Sequence, residues 1–186
     1  IEEFKNINKT PITIILDNVR SALNVGAIFR TSDAFLIKKV ILCGITSTPP
    51  NNEIRKTALD STLSVNWEYK ANIIDVIENL KKSNTYIFGI EQTENSTMLN
   101  DVKLPKAPIA IILGNEINGV NQDALNKCGK ILNAVNNGNY YYGLSLCKKL
   151  LPFERSRLEY LSGEQVDQKE SKIEEKQIEE NKVVSA

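Results

Sequence analysis

Two groups of residues in this chain are of types that handle anions or an attacking oxygen. The first is the segment 17–36, DNVRSALNVGAIFRTSDAFL, in which Asn24 stands six positions ahead of Arg30 and follows the apolar run Ile12–Leu16. A strand, a polar loop and a helix start in that order present free backbone N–H groups and the positive end of a helix dipole, which suits an oxyanion. Arg30 adds a planar, permanently charged fork of five donors that matches phosphate. The second group is Leu113-Gly-Asn-Glu-Ile-Asn-Gly-Val120. Gly114 and Gly119 permit positive φ and close backbone approach, Glu116 offers an acceptor, and the helix expected after it offers further N–H groups. A plainer reading stands beside each: a well-capped helix whose Arg30 pairs with Asp33 or Glu116, and a glycine-capped strand-to-helix turn.

The elements that must carry these groups follow from apolar periodicity. Ile12–Leu16 reads as a buried strand, and Val25–Leu36 as an amphipathic helix with Val25, Ile28, Phe29 and Leu36 on one side. Lys39–Cys43 is a second strand, and the Thr, Pro and Asn residues from Thr46 to Asn52 form a loop. Helices are expected over Glu53–Leu63 and Ile73–Lys82, with strands at Asn66–Tyr69 and Thr85–Ile90 and a polar loop over Glu91–Ser96. Ile109–Leu113 is a short, wholly apolar strand of the kind buried in a parallel sheet. A turn or two of helix over Asn121–Lys127 and a strand over Ile131–Val135 close the series. Strands alternate with helices, which argues an α/β fold with a mostly parallel sheet and crossover helices on both faces. Both chemical groups would then emerge at the C-terminal ends of their strands, where open parallel sheets bind ligands.

Composition narrows the chemistry. Histidine is absent, which removes Ser-His and Cys-His catalysis and His-based metal sites. Catalysis must therefore use Arg, Lys, Glu, Asp, Tyr or backbone groups. Cys43, Cys128 and Cys147 are far apart, with no C-x-x-C, so neither a disulfide framework nor a metal site is indicated; buried reduced thiols in a cytoplasmic protein are expected. No apolar run approaches the about 20 residues that span a bilayer, no secretory pattern opens the sequence, and the start at Ile1 suggests that a few leading residues are missing. Residues 164–186 hold seven acids and four bases with sparse apolar residues, and read as a charged, disordered tail with net charge −3. The body, 1–163, reads as one domain with net charge +3, which permits RNA binding without demanding it.

The two groups together carry a resemblance. N-V-G-A-I-F-R at 24–30 followed by I-I-L-G-N-E-I-N-G-V at 111–120 is similar to the SpoU/TrmH branch of the SPOUT RNA methyltransferases. The match runs from Ile12 to about Ala124 and includes I-R-K-T-A-L at 54–59. The resemblance implies an α/β fold with a deep C-terminal trefoil knot (about 109–161), a homodimer, and S-adenosylmethionine as methyl donor to a ribose 2′-hydroxyl of tRNA or rRNA. It also implies a catalytic centre at Asn24 and Arg30 and a cofactor and dimer site shaped by Gly114, Asn115, Glu116 and Gly119. No metal and no membrane enter that chemistry. A guanidinium pKa above about 12 makes Arg30 a poor general base. Its expected work is to bind phosphate, orient the 2′-hydroxyl and stabilise charge on its oxygen. With no appended RNA-binding domain in view, Arg20, Arg30, Lys38, Lys39, Arg55 and Lys56 must grip the RNA.

The third block departs from the family pattern I-P-x-x-G-x-x-x-S-L-N-V. Here the stretch 134–147 reads AVNNGNYYYGLSLC. Gly138 can be matched, and Ser145 and Leu146 match Ser-Leu three residues late, whereas Ala134 and Val135 replace Ile-Pro and Cys147 replaces Asn. The cofactor loop has diverged, or the reading frame has shifted near Leu132; an intact S-L-N block in another frame of the gene would identify the second. Two rivals to the enzyme follow. One is a non-catalytic RNA-binding protein that keeps the fold and has lost the cofactor, and the other a generic nucleotide-binding α/β domain, which the lack of G-x-x-x-x-G-K-[ST] disfavours.

Overall fold

The computed structural model describes residues 8–133. Within them, seven strands form one sheet: β1 (Thr10–Asp17), β2 (Ile37–Cys43), β3 (Trp67–Lys70), β4 (Tyr86–Ile90), β5 (Thr97–Met98), β6 (Ile109–Leu113) and β7 (Lys130–Asn133). Their spatial order is β3-β2-β1-β6-β4-β7-β5, and every pairing is parallel. The helices are α1 (Ala22–Ala34), α2 (Asn52–Ala58), α3 (Ile73–Lys82) and α4 (Gln122–Asn126).

β1 and β6 are the centre of the sheet. Ile14 lies opposite both Val40 of β2 and Ile111 of β6, and Ile111 in turn opposite Phe88 of β4. Strands buried on both faces are mainly apolar rather than alternating, which is why IAIIL carries no polar residue and β1 is buried from Ile12 to Asp17, with Thr13 and Asp17 as its buried polar members. One face of the sheet (Ile15, Ile41, Ile87, Ala110, Ile112) packs with Ile73, Val76 and Ile77 of α3 and with Ala124 and Leu125 of α4. Val40 and Trp67 share a register position one residue out of phase with Ile41, hence on the opposite face. There Phe29 of α1 meets Trp67 edge to face, with centroids 6.4 Å apart. Helices thus cover both faces. Each fully buried Ile or Phe of this core contributes about 1.5–3 kcal/mol.

Local chemistry sets the helix bounds. The N-caps Asn51, Asn72 and Asn121 each accept from a backbone N–H two residues on, at 2.8–2.9 Å, and Ser21 accepts from Asn24 N at 3.2 Å. α3 carries Asp75 in its first turn and Lys81 and Lys82 in its last, matching the helix dipole.

Three expectations are corrected. The helix expected over Glu53–Leu63 stops at Ala58: Leu59 and Asp60 turn left-handed (φ 48° and 65°), and a short 3-10 turn covers Ser61–Leu63. The reversal buries Ser61, which donates to the Ala58 carbonyl at 2.6 Å, and brings Ser64 Oγ to Asp33 Oδ1 at 2.5 Å. β5 was not expected, because two residues in register with Leu132 and Asn133 have no periodicity to display. The helix expected to begin at Val25 starts at Ala22, under the Ser21 cap.

Candidate functional site

The C-terminal ends of β1, β6 and β4 lie side by side, and the loops leaving them form one hydrogen-bonded assembly. After β1, Asn18 takes a left-handed conformation (φ 56°). Its Nδ2 donates to Asp17 Oδ1 at 2.8 Å, and its Oδ1 accepts from Ile45 N at 3.1 Å in the loop after β2. Thr46 secures the same corner by accepting from Val19 N at 3.0 Å and placing its hydroxyl 2.6 Å from the Cys43 carbonyl. The loop after β6 joins from the other side, where Asn115 Nδ2 donates to the Asn18 carbonyl at 2.8 Å.

That second loop folds back on itself. Asn115 and Gly119 exchange backbone hydrogen bonds of 2.9 Å, while Asn115 Oδ1 accepts from the N–H groups of Ile117 and Asn118. A Cβ on Gly114 would collide with the Gly119–Val120 backbone, and Gly119 sits at φ +69° against Glu91 Oε2. Both glycines are therefore required by the turn itself.

Glu116 is aimed at the start of α1. Its Oε1 accepts from Ser21 N at 3.1 Å and Asn24 Nδ2 at 3.0 Å, and its Oε2 from Arg20 N at 3.3 Å. Partial burial pushes its carboxyl pKa up, but the hydrogen bonds from its own N–H and from Ser21, Asn24 and Arg20 outweigh this and leave the pKa below the usual range. The oxyanion expected at this helix start is thus a carboxylate of the chain itself.

The start of α4 is filled in the same way. Val120 N donates to Glu91 Oε2 at 2.9 Å, Asn121 N to Asp17 Oδ2 at 2.9 Å, and the N–H groups of Asp123 and Ala124 to the Asn121 cap. The N–H groups expected there for a ligand are consumed internally. Asp17 is buried to 2 % exposure, and desolvation raises its pKa against the lowering effect of the Asn121 N–H.

Of the residues singled out from the sequence, the structure brings together Asn24, Gly114, Asn115, Glu116, Gly119 and the backbone of Arg20. Arg30 stands apart. It is exposed, and its side chain makes no hydrogen bond or ion pair among the described residues. The alternative pairing with Asp33 or Glu116 does not occur, since Ser64 takes Asp33 and the α1 start takes Glu116. Seven residues after Leu23 and four after Gly26, Arg30 falls on the stripe of α1 that faces α2. Along that stripe Thr57 Oγ1 donates to the Leu23 carbonyl at 2.8 Å and a Cβ on Gly26 would collide with Thr57 and Ile54. Arg55, on α2, is exposed with no ion pair among the described residues, whereas Lys56 pairs with Glu53 at 2.6 Å and Lys39 with Glu68 at 2.8 Å. Gly138, Ser145 and Leu146 lie outside the described residues, as do the tail and most of the expected knot. Sequence reasoning missed Asp17, Asn18 and Glu91. The signal available was an acid directly after an apolar strand, which Asp17 and Glu91 share.

Among the described residues, no group of three His, Cys, Asp or Glu could hold a metal ion, and no helix is long and apolar enough to cross a membrane.

Comparison with known proteins bears on this assembly directly. The chain is 29 % identical over 125 residues to the 23S rRNA (guanosine-2′-O-)-methyltransferase RlmB of Blochmanniella floridana, covering 67 % of this chain and 48 % of that protein. It is 26 % identical over 128 residues to RlmB of Neisseria meningitidis, covering 69 % and 50 %. The chain thus spans about half the length of the curated relatives it matches. Among solved structures, it shares its fold with the A. aeolicus TrmH/SpoU tRNA modifying enzyme (TM-score 0.66, 18 % identity, 87 % of this chain and 81 % of that one). It shares it also with the SpoU methyltransferase AviRb of Streptomyces viridochromogenes in complex with AdoMet (TM-score 0.65, 16 % identity, 84 % and 61 %). The model of the SpoU rRNA methylase family matches residues 11–140, and with them both loops of the site: the chain belongs to that family.

Proposed function

We propose that this chain carries the methyl-transfer core of an RNA ribose 2′-O-methyltransferase, with S-adenosylmethionine as donor and tRNA or rRNA as acceptor. The observation that carries the reading is the division of labour at α1. Glu116 and Asn24 fix the start of the helix, while Arg30 projects from it with its guanidinium free of internal ion pairs among the described residues.

The residues present fit the donor. Thr93, in the loop after β4, has a buried hydroxyl with no hydrogen-bond partner among the described residues, and a polar ligand group at this edge would satisfy it. Gly114, Asn115 and Gly119 give the neighbouring loop its fixed shape, and Gly138, Ser145 and Leu146 are proposed to complete the site. When bound, the donor supplies an electrophilic methyl group on a sulfonium.

The chain's own residues do the rest. Arg30 binds the RNA phosphate with its fork of donors, orients the 2′-hydroxyl and stabilises negative charge on its oxygen. The guanidinium stays protonated throughout, so the 2′-hydroxyl proton passes to a neighbouring phosphate oxygen. Asn24 and Glu116 hold the helix that aims Arg30. Arg20, Arg55 and Lys56 extend the cationic surface along the RNA backbone. A homodimer, a knot over about 109–161, a domain over 1–163 and action in the cytoplasm complete the proposal.

Isothermal titration with S-adenosylmethionine, followed by labelled-methyl transfer to RNA with ribose-specific detection, tests it. Binding and a 2′-O-methyl product are expected. No heat at high micromolar donor rejects an active enzyme. Salt-dependent RNA binding in that event would instead support an RNA-binding descendant, gripping RNA through Arg20, Arg30, Lys38, Lys39, Arg55 and Lys56.

A further inference from the structure

We infer that Glu91 is a positioning residue that sets the loop 114–120 in its ligand-binding shape, an inference resting on the proposed methyl-donor reading. Glu91 follows β4 directly, and β4 lies beside β6, with Ile90 opposite Leu113. From there its side chain crosses to the far end of the loop leaving β6. Oε2 accepts from Val120 N at 2.9 Å, and Oε1 is held by Gln92 N at 3.1 Å. Oε2 also lies where a Cβ on Gly119 would be, so the carboxylate packs on bare glycine backbone.

The loop and the residue after it are therefore pinned at three places by the ends of two strands, β1 and β4. Asn115 ties its beginning to the β1 loop, Asp17 takes the N–H of Asn121, and Glu91 takes the N–H of Val120 between them. Val120 is only 5 % exposed, so water cannot replace the lost acceptor without the chain shifting. The segment that shifts is Gly119–Val120. Asn121 keeps its own acceptor in Asp17 and its own cap bonds, so α4 stays in place. Removal of Glu91 thus reshapes the loop and leaves the fold.

Chain length makes the role specific. Glu91→Asp withdraws the carboxylate by one methylene and loses contact with Val120 N, whereas Glu91→Gln keeps an oxygen acceptor at the same reach. The order of effects is therefore set by reach and not by charge.

The test uses the full 186-residue chain and S-adenosylmethionine itself as probe. Titration calorimetry is expected to show donor affinity about tenfold weaker in Glu91→Ala and Glu91→Asp and within about threefold of wild type in Glu91→Gln. In turnover, KM for the donor rises while kcat changes less than about twofold. Asn72→Ala, which removes the α3 cap, lowers the melting temperature and leaves donor affinity unchanged, separating positioning from general stability. Amide exchange should accelerate at Val120 in Glu91→Ala but not at Asn121. Wild-type affinity in the Ala or Asp variant, or unchanged exchange at Val120, overturns the inference. If the wild-type chain binds no donor at all, the methyl-donor reading fails, and exchange at Val120 alone decides the role of Glu91. If Glu91→Ala does not fold, the Asp and Gln pair carries the test.

Discussion

The starts of α1 and α4 lie at the same edge of the sheet, after the neighbouring strands β1 and β6, and each meets a carboxylate of the chain. At α1 the carboxylate is Glu116, exposed, with its pKa lowered by the hydrogen bonds it accepts. At α4 the carboxylates are Glu91 and the buried Asp17, whose pKa is raised by desolvation. The α1 end keeps a cationic side chain beside its occupied N–H groups at Arg20, with Arg30 two turns further along the helix, and α4 has none within its helix. A helix start at a sheet edge is an anion site only until the protein supplies its own anion. Once both are filled, the power to hold a phosphate rests on the guanidinium groups.

The sharpest way to break this comparison is Arg30→Ala. Methyl transfer should fall by about 10²–10³-fold, as when one transition-state donor is lost, with donor affinity within about twofold of wild type. Kinetics alongside calorimetry decide it, and a large loss of donor affinity would show that Arg30 belongs to the cofactor side. Arg30→Lys should recover only part of the rate, because an ammonium cannot make the paired contact.

Glu116→Ala comes next. It frees the N–H groups of Arg20 and Ser21, and an external anion should then bind where none bound before. Sulfate titration followed by amide NMR shifts at Arg20 and Ser21 is the measurement, and no sulfate-dependent shift would mean that the helix start has frayed instead.

The two kinds of carboxylate also separate by pH. Glu116 has a folded pKa below its ordinary value of 4.5, so its contribution is complete above about that pH and is lost as the pH falls through the lower folded value. Asp17 has a folded pKa above its ordinary value of 3.8, so ionising it weakens the fold as the pH rises through that raised value. Acid unfolding of Glu116→Gln and Asp17→Asn, each compared with wild type, should therefore show pH dependences of opposite sign.

The smallest effect is expected at the thiols. Burial, with the Asp17 and Glu68 carboxylates, pushes Cys43 up to about 12, and burial pushes Cys128 up to about 11. Thiolate fractions at pH 8 are then about 10⁻⁴ and 10⁻³, and mass spectrometry should find neither cysteine alkylated by iodoacetamide in the folded protein.

What the sequence disclosed depended on how far each signal extends along the chain. Ile73–Lys82 and Ile109–Leu113 fold over the residues their patterns indicate, because one has a clean helical stripe and the other an unbroken apolar run. The α2 helix ended early, since nothing in local propensity announces left-handed residues at Leu59 and Asp60; the reason lies across the fold, in the bond from Ser64 to Asp33. Asn24 and Glu116 were found separately as types, and their direct bond is a property of the parallel pairing of β1 with β6. Glu91 and Asp17 stayed hidden because an acid after a strand resembles any loop residue until its N–H partners, 29 and 104 positions on, are known.

The placement of β6 between β1 and β4 also dictates a timetable. Ile12 must wait for Ile109 before β1 gains its second neighbour. At synthesis rates of about 5–20 residues per second, that wait is roughly 5–20 s. During it, β1 and β2 can pair but leave an apolar strand edge open, a template for wrong partners. Glu116 and α1 meet only after this gap closes, so the site forms late among the described residues. Folding yield in the cell should therefore depend on what shields β1 while the nascent chain is still being made.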